Sequence, residues 1–169
     1  MRRKFLLTDI LARLSVFSFT LVSLLVLNAP HALADDPVVS FSRDDPTMNA
    51  AIEKARSSLP VFWSKLADHA AEEGGFSLKI AISEGEETEH FWCGEIEGNA
   101  AKASCSISNE PQVVHSVSMG QRIDVDPKLI SDWMYMLNGK IKGGETIRVI
   151  IPTLSKDEAD YIRNLLADN

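Results

Sequence analysis

The chain has 169 residues, 17 of them basic and 24 acidic, for a net charge of −7. That length suits one ordinary buried core. The acidic excess argues against nucleic acid, whose phosphates require a basic face, and against anionic membrane surfaces; it is spread along the chain in the manner of a solvated surface rather than gathered into a tail.

Residues 1–34 read as an export signal. Arg2, Arg3 and Lys4 form a positive start, Leu14 to Leu27 is apolar without a charge, and Ala32-Leu33-Ala34 is a small-x-small cleavage site. The alternative is an uncleaved anchor, but the uncharged run is shorter than the ~20 residues a spanning helix needs. Cleavage after Ala34 takes 34 residues from 169, with four of the 17 basic and one of the 24 acidic residues, and leaves a mature charge of about −10. The expected location is periplasmic or secreted, with no stable membrane insertion after cleavage. Residues 35–44, which include Pro37, have no helical period and read as a flexible leader, with an edge strand as the alternative. Residues 45–169 are then a single domain.

Asp45-Pro46 is an N-cap followed by proline at the first helical position, and Met48, Ala51, Ile52, Ala55 and Leu59 recur at helical spacing. Pro60 interrupts this pattern. Phe62, Leu66 and Ala70 resume it, predicting a second helix or a kinked continuation closed by Gly74-Gly75. The period then changes from 3.6 to 2: Phe76, Leu78, Ile80 and Ile82 fall on one face of a strand and Ser77, Lys79 and Ser83 on the other. Glu84 to Glu89 reads as a solvated acidic loop around Gly85. Two further strands flank a turn near Glu97 to Ala101, where Gly98-Asn99 is a strong turn signal. Ile123 and Val125 mark another short strand. Asp126-Pro127 repeats the cap-then-proline start and predicts a short helix from Lys128 to about Met134, with Trp133, Ile130 and Leu137 on its core face. Asn138-Gly139 is a turn, strands are expected around Ile141 and from Thr146 to Ile151, and Ser155 with Glu158 forms a capping box that opens a last helix. Without strand-helix-strand alternation, the fold class is α+β, a mainly antiparallel sheet packed against N-terminal helices, with a short inserted helix and a C-terminal helix.

Little in this pattern carries chemistry. His69, His90 and His115 are not spaced as metal ligands, so no metal and no cofactor is expected. No Gly-x-Ser-x-Gly elbow and no phosphate-cradling glycine loop is present. Cys93 and Cys105 form an even count after an export signal, which invites a bridge. A turn centred near Asn99 sets Cys93 opposite Cys105 and Phe91 opposite Ile107. Two unpaired thiols are the alternative, because a one-residue bulge would separate them. Asp132 and Arg148 lie on neighbouring predicted elements and are suited to a bidentate ion pair.

The segments PTMNAAIEKARSSLPVFW, FSLKIAI, EHFWCGEIEG, NEPQVVHSVSMGQRI and ISDWMYMLNGKIKGGETIRVI together resemble the YegJ-like family, domain of unknown function 2314. The resemblance covers about Asp45 to Ile151 and is most specific at Glu89-His90-Phe91-Trp92, Asn109-Glu110-Pro111 and Ser131-Asp132-Trp133-Met134-Tyr135 followed by Gly143-Gly144. It implies a compact α+β domain and no catalytic residue. Cys93 stands where the family leads one to expect an aliphatic residue, and Glu145 where an aromatic is common.

These readings favour a small exported binding or interaction module of the bacterial envelope, not an enzyme. Trp92, Asp132, Trp133, Tyr135 and Arg148 would lie near its recognition surface, facing a protein partner in the envelope, since aromatic and arginine side chains dominate interface energetics. The competing reading is an envelope hydrolase using His90 or His115 as base with Asp132 or Glu110 as its orienter.

Overall fold

The computed structural model describes residues 45–168. The expected export signal and leader lie outside the described residues. The elements are α1 (Pro46–Ala67), β1 (Glu73–Glu84), β2 (Glu87–Asn99), β3 (Lys102–Ile107), β4 (Arg122–Val125), β5 (Ile130–Leu137), β6 (Lys140–Gly143), α2 (Glu145–Ile150) and α3 (Lys156–Leu165). All neighbouring strands are antiparallel, in the order β4-β3-β2-β1-β5-β6. The α+β class follows from this layout of one sheet and three helices. Among the described residues, no helix is long and apolar enough to cross a membrane.

Asp45 caps α1 through its side chain, which accepts from the Met48 N–H at 2.8 Å, and Pro46 occupies the first turn as expected. Pro60 does not divide the helix. It lies on the exposed side of a single 22-residue element, where one missing hydrogen bond is tolerated because the other face is anchored by Ala55 and Phe62, both fully buried. Gly74 and Gly75 are not a helix stop but the beginning of β1.

One sheet face meets α1. Leu78 and Ile80 of β1, Phe91 and Cys93 of β2, Cys105 and Ile107 of β3, and Trp133 and Tyr135 of β5 form the main core with Phe62. Aromatic contacts dominate its centre: Phe62 and Trp133 have ring centroids 5.7 Å apart, and Phe76 stacks on Tyr135 at 5.0 Å. The indole N–H of Trp133 donates to the Ala55 carbonyl at 2.9 Å, tying β5 to the middle of α1. A second apolar cluster of Ile141, Ile151, Ala159 and Leu166, with Met134 and Met136 packed on it, joins α3 to the β5–β6 side of the sheet. The Ser155–Glu158 capping box opens α3 as expected.

Two predicted elements are exchanged in type. The segment from Lys128 to Met134 is not a helix. Asp126-Pro127 starts only a 3-10 turn, Pro127–Leu129, and the chain then enters β5. β5 is clad by α1 on one side and by the second cluster on the other, so both its faces carry apolar residues and the alternation that marks a strand disappears. The segment from Thr146 to Ile151 is not a strand. Its β-branched residues form α2, because tertiary contacts at the start of that helix override a weak local preference. Gly143 and Gly144, both in the left-handed region at φ +79° and +67°, bring the chain to this point; a Cβ on Gly143 would sit 2.3 Å from the Trp133 carbonyl oxygen.

Cys93 and Cys105 form a disulfide with Cα atoms 5.6 Å apart. The expected register does not hold. Cys93 pairs with Ile107, and a bulge between Gly94 and Glu97, where Glu95 takes φ 47°, shifts the remainder of the hairpin. The bridge spans a diagonal instead of a directly opposed pair, a distance within the range of a disulfide. Replacing both cysteines by serine is expected to lower stability by about 3 kcal/mol through the released chain entropy of a loop this short. Urea unfolding of the double variant checks this, and the reduced wild type should match it; identical midpoints for oxidised and double-serine protein would disprove it.

Candidate functional site

Because Ser131 to Leu137 is a strand, Asp132 and Trp133 point to opposite sides of the sheet. Asp132 shares its face with Lys79 of β1 and Trp92 of β2, which the register places in one row across three strands. Its side chain is fully buried. Oδ1 accepts from the backbone N–H groups of Trp133 at 2.8 Å and Glu145 at 3.2 Å; Oδ2 accepts from the Thr146 N–H and hydroxyl, each at 2.7 Å. Burial pushes the Asp132 carboxyl above its ordinary value, and the hydrogen bonds from Thr146 and Trp133, with the charge of Lys79, oppose the shift. The Lys79 ammonium donates to the Thr146 hydroxyl at 3.2 Å and stands 5.4 Å from the Trp92 ring centroid. Burial lowers the Lys79 pKa and Asp132 raises it.

His90 lies beside this row, its Nδ1 2.8 Å from the Ser131 hydroxyl. Ser131 is buried and donates its single hydroxyl proton to the Lys79 carbonyl at 3.1 Å. It can therefore only accept from His90, which places a proton on Nδ1 and leaves no lone pair directed at the serine. The imidazole is held down to about 4, by desolvation first and then by the charges of Lys79 and Arg56.

The other side of β5 opens into a groove of about 510 Å³ between α1 and the start of α2. Trp133 and Tyr135, stacked 11° from parallel with centroids 6.0 Å apart, line it together with Ser58 and Val61 of α1. Lys54, Lys142, Glu145 and Asp168 supply its charges. Val61 is 53% exposed although it is apolar. The groove thus has an aromatic lining, an uncovered aliphatic residue and a charged margin.

The five residues proposed from sequence to share one surface are divided by the sheet. Trp133 and Tyr135 belong to the groove. Trp92 and Asp132 belong to the opposite face, and Asp132 is a buried support with no surface of its own. Tyr135 is only 5% exposed, so it is a wall residue of the core and not a free rim. The expected Asp132–Arg148 ion pair is not formed: Arg148 donates to the Ala167 carbonyl at 2.9 Å and its Nε lies 4.0 Å from Glu145. The helical face of Trp133, Ile130 and Leu137 does not exist, because these residues are on a strand. His90 is hydrogen-bonded to neither Asp132 nor Glu110, and His115 is held through its backbone N–H by Glu84 at 2.6 Å. The expected exposed turn at Gly85 is present, but Glu84 and Glu89 belong to the flanking strands, and their carboxylates gather the backbone N–H groups of Gln112, Val113, Val114 and His115. Lys79, Ser131, Thr146 and Lys142 were passed over in sequence because each looked like an ordinary surface or strand residue. Among the described residues, no group of three or more His, Cys, Asp or Glu side chains is placed to hold a metal ion.

The family model described as "Uncharacterized protein conserved in bacteria (DUF2314)" matches residues 45–165, from the cap of α1 to the end of α3. The chain belongs to this family. It is 33% identical over 154 residues to the uncharacterized protein YegJ of Escherichia coli K12, covering 91% of this chain and 95% of that protein. It is also 27% identical over 134 residues to a Neisseria meningitidis serogroup B protein that carries the name of an ankyrin repeat protein. That match covers 75% of this chain and 53% of the relative. No solved structure matches the chain. The DUF2314 match takes in both the Asp132 cluster and all of the groove except Asp168.

Asp132→Asn is expected to cost about 1–3 kcal/mol in chemical unfolding, because either orientation of the amide sets an NH₂ group against two of the four donors. Unchanged stability would show that the carboxylate is not the support described here. The His90 imidazole should titrate well below its usual 6.5, near 4, in an NMR pH series, and Lys79→Met should raise it. Its folded pKa is depressed, so the unfolded chain binds more protons between pH 4 and 6.5, and folding stability should rise with pH over that window. His90→Gln should flatten that rise.

Proposed function

We propose that the protein is a non-catalytic binding module of the bacterial envelope, and that its binding site is the groove between α1 and β5. The observation that supports this reading most directly is the pairing of a stacked Trp133–Tyr135 wall with the exposed Val61 in one open concavity. The aromatic pair shows only its edges to the groove, at 6% and 5% exposure, and is held rigid by the core behind it, so its shape is fixed before anything binds. The hydrolase reading loses its support at Ser131: the hydroxyl beside His90 is buried and already donates to the Lys79 carbonyl. Among the described residues, the outward Nε2 of His90 has no hydroxyl or thiol hydrogen-bonded to it.

The envelope location rests on the charged start, apolar run and small-x-small site of residues 1–34, and on a buried disulfide, which persists in oxidising compartments. The acidic charge favours a protein or small-molecule partner over nucleic acid.

Two measurements test the proposal. Intact mass of the protein recovered from the producing cell should correspond to a chain beginning at Asp35; retention of the apolar segment would place it on a membrane anchor instead. A photo-crosslinking side chain at Val61 should capture a partner in the native envelope. Capture should fall sharply when Ser57→Trp fills the groove from the same helix, while a crosslinker at Tyr161, exposed on α3, should not capture the same species. Equal capture from the two positions would remove the groove from the proposal.

A further inference from the structure

The groove's charges are not equally committed. Lys54 and Glu145 pair with each other at 3.0 Å, and Glu145 also approaches Arg148. The Ser57 hydroxyl donates to the Lys54 carbonyl; that of Ser58 donates within α1 and also accepts from the Trp133 indole. Three polar groups of the lining are left over. The Lys142 ammonium, half-buried on β6, the Tyr135 hydroxyl, which stands within electrostatic range of the Lys65 ammonium, and the exposed Asp168 carboxylate each lack a hydrogen bond or ion pair to any described residue.

Their placement is informative. Tyr135 and Lys142 are register partners on β5 and β6, so their side chains emerge side by side on the α1 face of the sheet. Two adjacent donors, one of them a cation, form a site for a carboxylate. Asp168 lines the same groove with the opposite charge and accepts from nothing in the described chain. The segment after α3 runs along the outer side of β6, where Leu166 bridges to Ile141 and the Ala167 N–H donates to the Ile141 carbonyl, so Asp168 lies on the far side of Lys142 from β5, and Trp133, Tyr135 and Val61 line the rest of the groove. Holding a half-buried ammonium without a counter-ion is unfavourable, and a ligand that brings one relieves that cost. A ligand with a single negative charge would leave Asp168 unmatched, and a purely cationic one would leave Lys142 so.

We infer that the groove takes a zwitterion with an apolar or aromatic body, a free amino acid or a short peptide with both ends free. Its carboxylate lies against Lys142 and the Tyr135 hydroxyl, its ammonium against Asp168, and its side chain on the aromatic wall. This rests on the groove being the binding site, and the volume of about 510 Å³ is adequate for a ligand of that size.

The test uses the oxidised, mature chain and four probes followed by NMR shifts of the Trp133 indole and of backbone groups along Val61 and Lys142: L-phenylalanine, the dipeptide Ala-Phe, its N-acetyl form and its C-terminal amide. Either of the first two should perturb the groove, and the tighter one identifies the source as amino acid or peptide. Acetylation and amidation should each weaken binding by roughly tenfold, the equivalent of one charged contact. Lys142→Met should abolish the preference for acid over amide, Asp168→Asn the preference for free over acetylated amine, and Tyr135→Phe should weaken the acid more than the amide. Melting temperatures of Lys142→Met and Asp168→Asn should match the wild type, which separates lost recognition from lost folding. Equal binding of all four probes, or of none, overturns the inference. The groove as binding site would survive either result if Ser57→Trp still abolished Val61 crosslinking; if that variant had no effect, the groove reading itself fails.

Discussion

A carboxylate sealed from solvent stands at the joint between β5 and α2, and the arrangement of both sheet faces depends on it. α2 has six residues and no side-chain cap of its own, too short to persist unaided. Asp132 supplies from the neighbouring strand what the helix lacks, filling both oxygens with donors from its first turn and from β5. A buried acid without such partners would be strongly destabilising. With them, it fixes where the chain must turn after β6, and hence requires glycine at 143, where the backbone passes against Trp133.

That turn also shapes the groove. Trp133 is held from one side by the Gly143 backbone and from the other by the Ala55 carbonyl and Ser58 hydroxyl of α1. The indole is thereby locked in its rotamer, and Tyr135 is stacked between it and Phe76. The support on one face and the groove lining on the other come from consecutive residues of one strand. A change at Asp132 would therefore reach Trp133 without any contact between their side chains.

Legibility from sequence followed the periodicity. β1 was plain at Phe76, Leu78, Ile80 and Ile82 because one of its faces is polar, and α1 and α3 were plain at their caps because Asp45, Pro46, Ser155 and Glu158 act locally. β5 was misread because covering both faces erases the period of 2, while a true cap-and-proline signal at Asp126-Pro127 stood just before it and produced only one turn. α2 was misread because what makes it helical is a carboxylate 14 positions from Thr146. The cysteine pair was found by count and spacing, but its register was not, since the lone Gly94 beside the Glu95 bulge reads as an ordinary strand glycine and the strong turn signal at Gly98-Asn99 drew the pairing instead. Of the candidate site, the aromatic residues were legible by type. The partition between two faces was not, because it turns wholly on whether Asp132 and Trp133 are neighbours on a helix or on a strand.

The segment after α3 bears on how the edge of the sheet is covered. A four-residue edge strand such as β6 exposes backbone groups that could template pairing with another molecule. Here Leu166 bridges to Ile141 and the Ala167 N–H donates to the Ile141 carbonyl at 2.9 Å, while Arg148 clasps the Ala167 carbonyl from α2. The outer side of β6 is thus occupied by the chain itself. Peeling this segment away would uncover a hydrogen-bond-ready edge beside Ile141 and Met136, so proteolytic trimming before Leu166 would favour edge-to-edge association.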